Sequence, residues 1–170
     1  QAAGYNLKAM MLNIVVIGSV MVLSVFITLF TVDKFGRKIL LLIGTSAMAV
    51  IYGLIGYCFY VGYNGFVIVL LVLANVMFYS FTLAPLLWVV LSEIFPNRIR
   101  GAAMSIAAFA HWVGNFTLTF SFPTIKESLG WANNFWLYGV ICAFGFIVLY
   151  RILPETKGKT LEQIEHELID

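Results

Sequence analysis

The chain has 170 residues, of which 62% are hydrophobic and only 11% charged, against roughly 25% charged in a soluble domain. Ten bases and eight acids leave a net charge of +2, and the mean hydropathy is +0.97. A soluble globular domain needs more polar surface than this, and disorder or nucleic-acid binding needs a charge density that is absent, so what remains is an integral membrane protein with the lipid bilayer as its solvent and no nucleic-acid partner.

The gaps between charges predict the elements. About 20 helical residues cross a bilayer core. The first charge-free stretch, 9–32, fits one span. The next, from Ile39 to Ser92, is too long for one and right for two, spans 39–61 and 66–91, with Gly62-Tyr63-Asn64-Gly65 as the turn between them. Two more charge-free stretches, 101–125 and 128–150, place spans at 101–123 and 133–153. The runs are continuously apolar rather than alternating, which favours helices over a β-barrel. The expected fold is therefore an all-α polytopic membrane protein with five transmembrane helices in residues 1–154. Glycines recur inside the spans, and their plain role is close helix packing. Cys58 and Cys142 both fall inside spans and are read as filler, with no disulfide and no metal spacing.

Charge sign gives orientation. One set of loops holds Lys34, Arg37, Lys38, Arg98, Arg100, Arg151, Lys157 and Lys159, and the opposite set holds only Lys8 and Lys126. The first set is expected to be cytoplasmic, which puts the start of the chain outside and its end inside. The chain opens on Gln1 without a Met or a basic leader, and is expected to be a fragment. Residues 155–170 turn polar. Thr160 with Gln163 forms a capping-box pattern, and Leu161, Ile164 and Leu168 fall at helical spacing, so a short amphipathic helix is expected in a cytoplasmic tail.

Two loops mix acids and bases at helix ends. In Asp33-Lys34-Phe35-Gly36-Arg37-Lys38 an acid closes one helix and bases open the next. In Ser92-Glu93-Ile94-Phe95-Pro96-Asn97-Arg98-Ile99-Arg100-Gly101, Glu93 closes a span, Pro96 stops it, and Arg98 and Arg100 open another. Topology alone accounts for the basic sign. A switchable ion-pair network accounts for the mixture, and both readings stay open on the residues.

Two spans combine aromatic side chains with hydrogen-bonding ones on otherwise apolar helices. The span over 66–91 carries Tyr79, Ser80, Thr82, Pro85 and Trp88. The next carries His111-Trp112-Val113-Gly114-Asn115, with His111 and Asn115 four apart on one face. An intramembrane His is a functional candidate by default. The plain alternatives are an interfacial belt for Trp88, helix packing for Trp112 and an interhelical hydrogen bond for Asn115. No Ser–His–Asp set, metal spacing or phosphate loop suggests an enzyme, a cofactor or a metal site.

The loop Asp33-Lys34-Phe35-Gly36-Arg37-Lys38 resembles the D-[RK]-x-G-R-[RK] motif of the major facilitator superfamily. Ser92-Glu93-Ile94-Phe95-Pro96 with Arg100-Gly101, and Pro154-Glu155-Thr156-Lys157-Gly158, resemble two signatures of its sugar porter family. That family has twelve helices in two halves. The resemblance implies that this chain is the C-terminal portion, helices eight to twelve, with helices one to seven as its missing partner. It further implies alternating-access transport of a monosaccharide, a hexose or pentose, by proton symport or facilitated diffusion, in the cell membrane.

By resemblance, Asp33, Arg37, Glu93, Arg100 and Glu155 would carry a cytoplasmic gate. Trp88, His111, Trp112 and Asn115 would line the sugar site, with Tyr79 nearer its outer mouth. Ala84-Pro85-Leu86-Leu87-Trp88 matches the family's Gly-Pro stretch ending in Trp. The departures are Ala84 for Gly, His111 for Gln or Asn, Met21 for Asn or Thr, and Ser80 where some relatives have Glu. The alternatives are a polyol or organic-acid transporter on the same fold, which a titratable His111 would suit, or a non-transporting membrane sensor.

Overall fold

The structure is a computed structural model, and it describes residues 7–63, 65–96 and 98–153. Helix α1 runs Leu7–Phe35, α2 Arg37–Tyr60, α3 Phe66–Phe81, α4 Leu83–Ile94 and α5 Arg100–Ile152. The expected amphipathic helix in the tail lies outside the described residues.

Helices α1 and α2 are separated by a single residue, Gly36, at φ 90° and ψ 159°. A side chain is strained at that φ, whereas glycine adopts it freely. Its amide still donates to the Val32 carbonyl at 3.1 Å. One residue therefore ends one helix and starts the next without leaving its own amide unpaired. Between α2 and α3 the turn falls where Gly62-Tyr63-Asn64-Gly65 placed it, with Gly62 at φ 76°.

Five spans were expected, and among the described residues four continuous stretches are long and apolar enough to cross a membrane: Ile14–Val32, Arg37–Tyr60, Phe66–Ile94 and Arg100–Ile152. The difference lies in α5. Its 53 residues would measure about 80 Å as a straight helix, far beyond a hydrocarbon core of about 30 Å. It is not straight. Gly130 sits at φ 81° and ψ 171°, outside the helical region, and the chain reverses there. Phe122 stacks on Tyr138 with ring centroids 6.4 Å apart, although they lie sixteen residues apart in the sequence. The linker expected between 123 and 133 stays helical past Pro123, and the fold-back is concentrated at one glycine. The two arms are 100–129 and 131–152.

The second arm packs on α2. Phe59 stacks on Phe135 and on Trp131, each at 5.4 Å. The indole of Trp136 lies over Gly56, where any side chain would collide with it, and its N–H donates to the Gly53 carbonyl at 3.3 Å. At the Gly36 end, Leu40, Leu41, Leu86, Val90 and Leu153 form a buried cluster joining α2, α4 and the end of α5.

Most other large apolar side chains face outward. Phe30 is 77% exposed and Phe120 73%. In water such a surface would aggregate, whereas in lipid it is the ordinary exterior. The hydroxyls along the spans agree with that setting. Ser19, Ser24 and Thr31 each donate to the carbonyl four residues back in their own helix, which keeps a polar group satisfied without water.

Candidate functional site

The apolar stretch Phe66–Ile94 is interrupted at Thr82, where φ is −122° and ψ −76°. Pro85 explains the position. Lacking an amide hydrogen, it cannot serve the carbonyl of Phe81, four residues back, and its ring crowds that carbonyl. The short α4 that follows carries Trp88 on its second turn and Glu93 near its end.

Trp88 is half-buried and meets His111 of α5 edge to face, with centroids 5.5 Å apart and planes at 75°. His111, also half-buried, in turn meets Trp112 at 5.9 Å and 74°. The structure thus brings three of the five expected sugar residues into one ring cluster spanning α4 and the first arm of α5. Trp112 is 64% exposed, so one aromatic face is open. Asn115 is exposed one turn beyond His111 on the same arm. Tyr79 stands on α3, on the other side of the Thr82 interruption. Neither Tyr79 nor Asn115 is part of the ring contacts that join Trp88, His111 and Trp112. Edge-to-face rings with an exposed indole suit an apolar ring face, and the indole and imidazole nitrogens supply hydrogen bonds at its rim.

Of the expected gate residues, Arg37 and Glu93 meet at the Gly36 end. Arg37 Nη2 and Glu93 Oε1 are 3.3 Å apart, with side chains 19% and 24% exposed. This pair ties the start of α2 to the end of α4. Among the described residues Arg100 does not join it; its Nε donates to the Phe95 carbonyl at 3.2 Å, bridging the loop before α5. Asp33 belongs to the last turn of α1, and its side chain lies outside the described residues, as does Glu155. Glu93 Oε2 and Arg100 Nη2 are buried without a hydrogen-bond partner among the described residues.

A cavity of about 430 Å3 opens elsewhere, between α2 and the two arms of α5, lined by Met48, Tyr52, Thr119, Phe122, Tyr138 and Cys142 among others. It is mostly apolar and none of the expected sugar residues lines it. Cys58 and Cys142 are free thiols. Among the described residues no group of three or more His, Cys, Asp or Glu is placed to hold a metal ion.

Sequence reasoning missed Thr28 and Asn134, and gave Gly44 only the general packing role of a glycine inside a span. Thr28 and Asn134 are buried polar residues, at 2% and 0% exposure. Gly44 lies directly against Thr82, whose side chain occupies the space a Cβ would need. Pro85 signalled an orphaned carbonyl, but no sequence signal pointed to the helix that supplies its donor.

Comparison with known proteins gives the same picture at the level of the family. The chain is 35% identical over 168 residues to the D-xylose-proton symporter of Escherichia coli (strain K12), covering 95% of this chain and 34% of that protein. It is 36% identical over 163 residues to the arabinose-proton symporter of Bacillus subtilis (strain 168), covering 95% and 35%. The chain therefore spans about a third of the length of these curated relatives. A solved structure of the major facilitator proton:xylose symporter bound to 6-bromo-6-deoxy-D-glucose matches with a TM-score of 0.90 at 34% identity, over 98% of this chain and 36% of that one. The inward-open xylose transporter from E. coli matches with a TM-score of 0.86 at 36% identity, over 94% and 36%. The apolar helices and these likenesses make the chain an integral membrane protein. The family model for sugar (and other) transporters matches residues 1–168, and the chain belongs to that family.

Proposed function

We propose that this chain forms helices eight to twelve of a twelve-helix sugar porter, and that the whole protein moves a hexose or pentose across the cell membrane by alternating access. The Trp88–His111–Trp112 cluster is the observation that carries this reading, because it joins two helices through aromatic faces and leaves one indole open. The relatives named as xylose- and arabinose-proton symporters support a monosaccharide as cargo and a proton as its companion.

In this reading each arm of α5 crosses the bilayer once, which makes five crossings, with the start of the chain outside and its end in the cytoplasm. The Gly36 end is then cytoplasmic. The Arg37–Glu93 pair holds α2 and α4 together there and closes the inner side while the site faces out. The unpartnered Glu93 Oε2 and Arg100 Nη2 leave one acceptor and one donor for further charged groups, and Asp33 and Glu155 are the candidates the sequence offers. Helices one to seven of the same protein supply the other half of the site and any proton-coupling acid. A second reading, an organic acid as cargo, has His111 in its favour, since an imidazolium between two indoles would attract an anion.

The test is sugar counterflow by the complete transporter in proteoliposomes. Parent protein exchanges labelled xylose or glucose, and Trp88→Ala abolishes or strongly weakens that exchange while expression is intact. Uptake unchanged by Trp88→Ala removes this residue from the site. Competition by organic acids that grows as pH falls moves the cargo to the second reading.

A further inference from the structure

The interruption between α3 and α4 leaves the Phe81 carbonyl without its helical donor, because residue 85 is proline. Inside a membrane no water replaces that donor, and an unpaired carbonyl there is costly. The donor comes from α1. Thr28 Oγ1 lies 2.6 Å from the Phe81 carbonyl oxygen. The same hydroxyl is 3.0 Å from the Ser24 carbonyl of its own helix. It has one proton, and the shorter contact is the one to the carbonyl that lacks another donor. Among the described residues Ser19, Ser24 and Thr31, also on α1, bond within α1, so Thr28 is set apart by its partner rather than by its residue type.

A second contact fixes the same joint from the opposite side. Thr82 is fully buried, its hydroxyl donates to the Phe78 carbonyl at 2.7 Å, and its side chain fills the space left by Gly44 of α2. The α3–α4 joint is therefore held between α1 and α2. Everything after the joint on α4, including Trp88 and Glu93, takes its direction from the bend at residues 81 and 82.

We propose that Thr28 is a positioning residue whose hydroxyl replaces the amide missing at Pro85, holding the α3–α4 joint in one bend and so placing Trp88 at the site and Glu93 at its ion pair. The transport readout of this proposal rests on the sugar-porter reading; the distance readout does not. Spin labels are placed at Val25 and Val89, both partly exposed, in the complete transporter with Cys58 and Cys142 replaced by alanine. Distance distributions and sugar counterflow are then measured for the parent, Thr28→Val, Thr28→Ser, Pro85→Ala and the Thr28→Val/Pro85→Ala pair.

Thr28→Val is expected to broaden the distance distribution or add a second population, and to lower the maximal counterflow rate by about tenfold, the scale set by one lost buried donor. Thr28→Ser restores both. With alanine at position 85 the Phe81 carbonyl has its own helical donor again, so Thr28→Val causes no further change in that background. A Thr28→Val distribution identical to the parent overturns the proposal, and so does an equal broadening whichever residue stands at 85. Should Thr28→Val fail to accumulate in the membrane, recovery of accumulation by Pro85→Ala supports the proposal and failure in both backgrounds overturns it. Absence of counterflow in the parent refutes the sugar reading and leaves the distances to decide the role of Thr28.

Discussion

Neutralising Glu93 is the most direct probe of the proposed inner gate. The Arg37 and Glu93 atoms are 3.3 Å apart, so their Coulomb attraction is about 5 kcal/mol at an effective dielectric constant of about 20. That gross value is not the net effect. Both side chains remain about a fifth exposed, and exposed pairs contribute roughly 0–1 kcal/mol against roughly 3–5 kcal/mol for breaking a buried one. A net 1–2 kcal/mol follows for a pair of intermediate burial, equivalent to a population shift of roughly 5–30-fold. Glu93→Gln keeps the shape and removes the charge. In the complete transporter it is expected to raise labelling of a cysteine lining the cytoplasmic vestibule by a factor in that range. Arg37→Gln is expected to act in the same direction. The double variant should fall short of the sum of the two, since the shared interaction is lost only once. Unchanged accessibility in Glu93→Gln, or strict additivity in the double variant, refutes the gate and reduces these charges to markers of topology.

Two further outcomes follow from the geometry. His111→Ala removes both edge-to-face contacts, each worth about 0.5–1.5 kcal/mol, so the KM for sugar counterflow should rise by roughly tenfold; an unchanged KM takes His111 out of the site. Gly130→Ala places a side chain at φ 81° and ψ 171° with no atom near enough to collide, so its cost is backbone strain alone, about 1–3 kcal/mol. Tryptophan-fluorescence melting in detergent should show a lowered Tm, and a Tm equal to the parent's would refute the strained turn.

The sequence was most legible where charge and glycine set the limits. The acid–base loops could be read directly, because a bilayer admits few charges and each marks an edge, but the six-residue turn expected at 33–38 is a break at Gly36 alone. Trp88, His111 and Trp112 were legible as residue types, since an intramembrane His is a candidate whatever the fold, but only the structure sets Trp88 against His111. The reversal in α5 was legible only in part. Lys126 and Glu127 marked a boundary, but helical propensity carries the chain through Pro123 and up to Gly130, and the length of a linker is not written in its polarity. Thr28 was illegible. Threonine on a membrane helix usually bonds to its own turn, and only the three-dimensional register of α1 against α3 sets it opposite Phe81.

The shortness of α4 links the candidate site to the candidate gate. Its 12 residues run from the joint at Thr82 to Ile94, with no proline or glycine after Pro85. Trp88 and Glu93 are five residues apart on this helix, about 7.5 Å along its axis. A helix this short with an intact hydrogen-bond ladder transmits a change of direction at one end to the other with little bending. A displacement of Trp88 that pivots at Thr82 must therefore also displace Glu93 from Arg37. The reverse holds equally, since a free-energy coupling between two sites is reciprocal. A ligand that draws Trp88 to a new position works against the 3.3 Å ion pair, and a pair that stays closed resists the ligand. In this arrangement the proline that breaks the span gives site and gate a single joint, and a hydroxyl from the neighbouring helix sets the angle at which that joint rests.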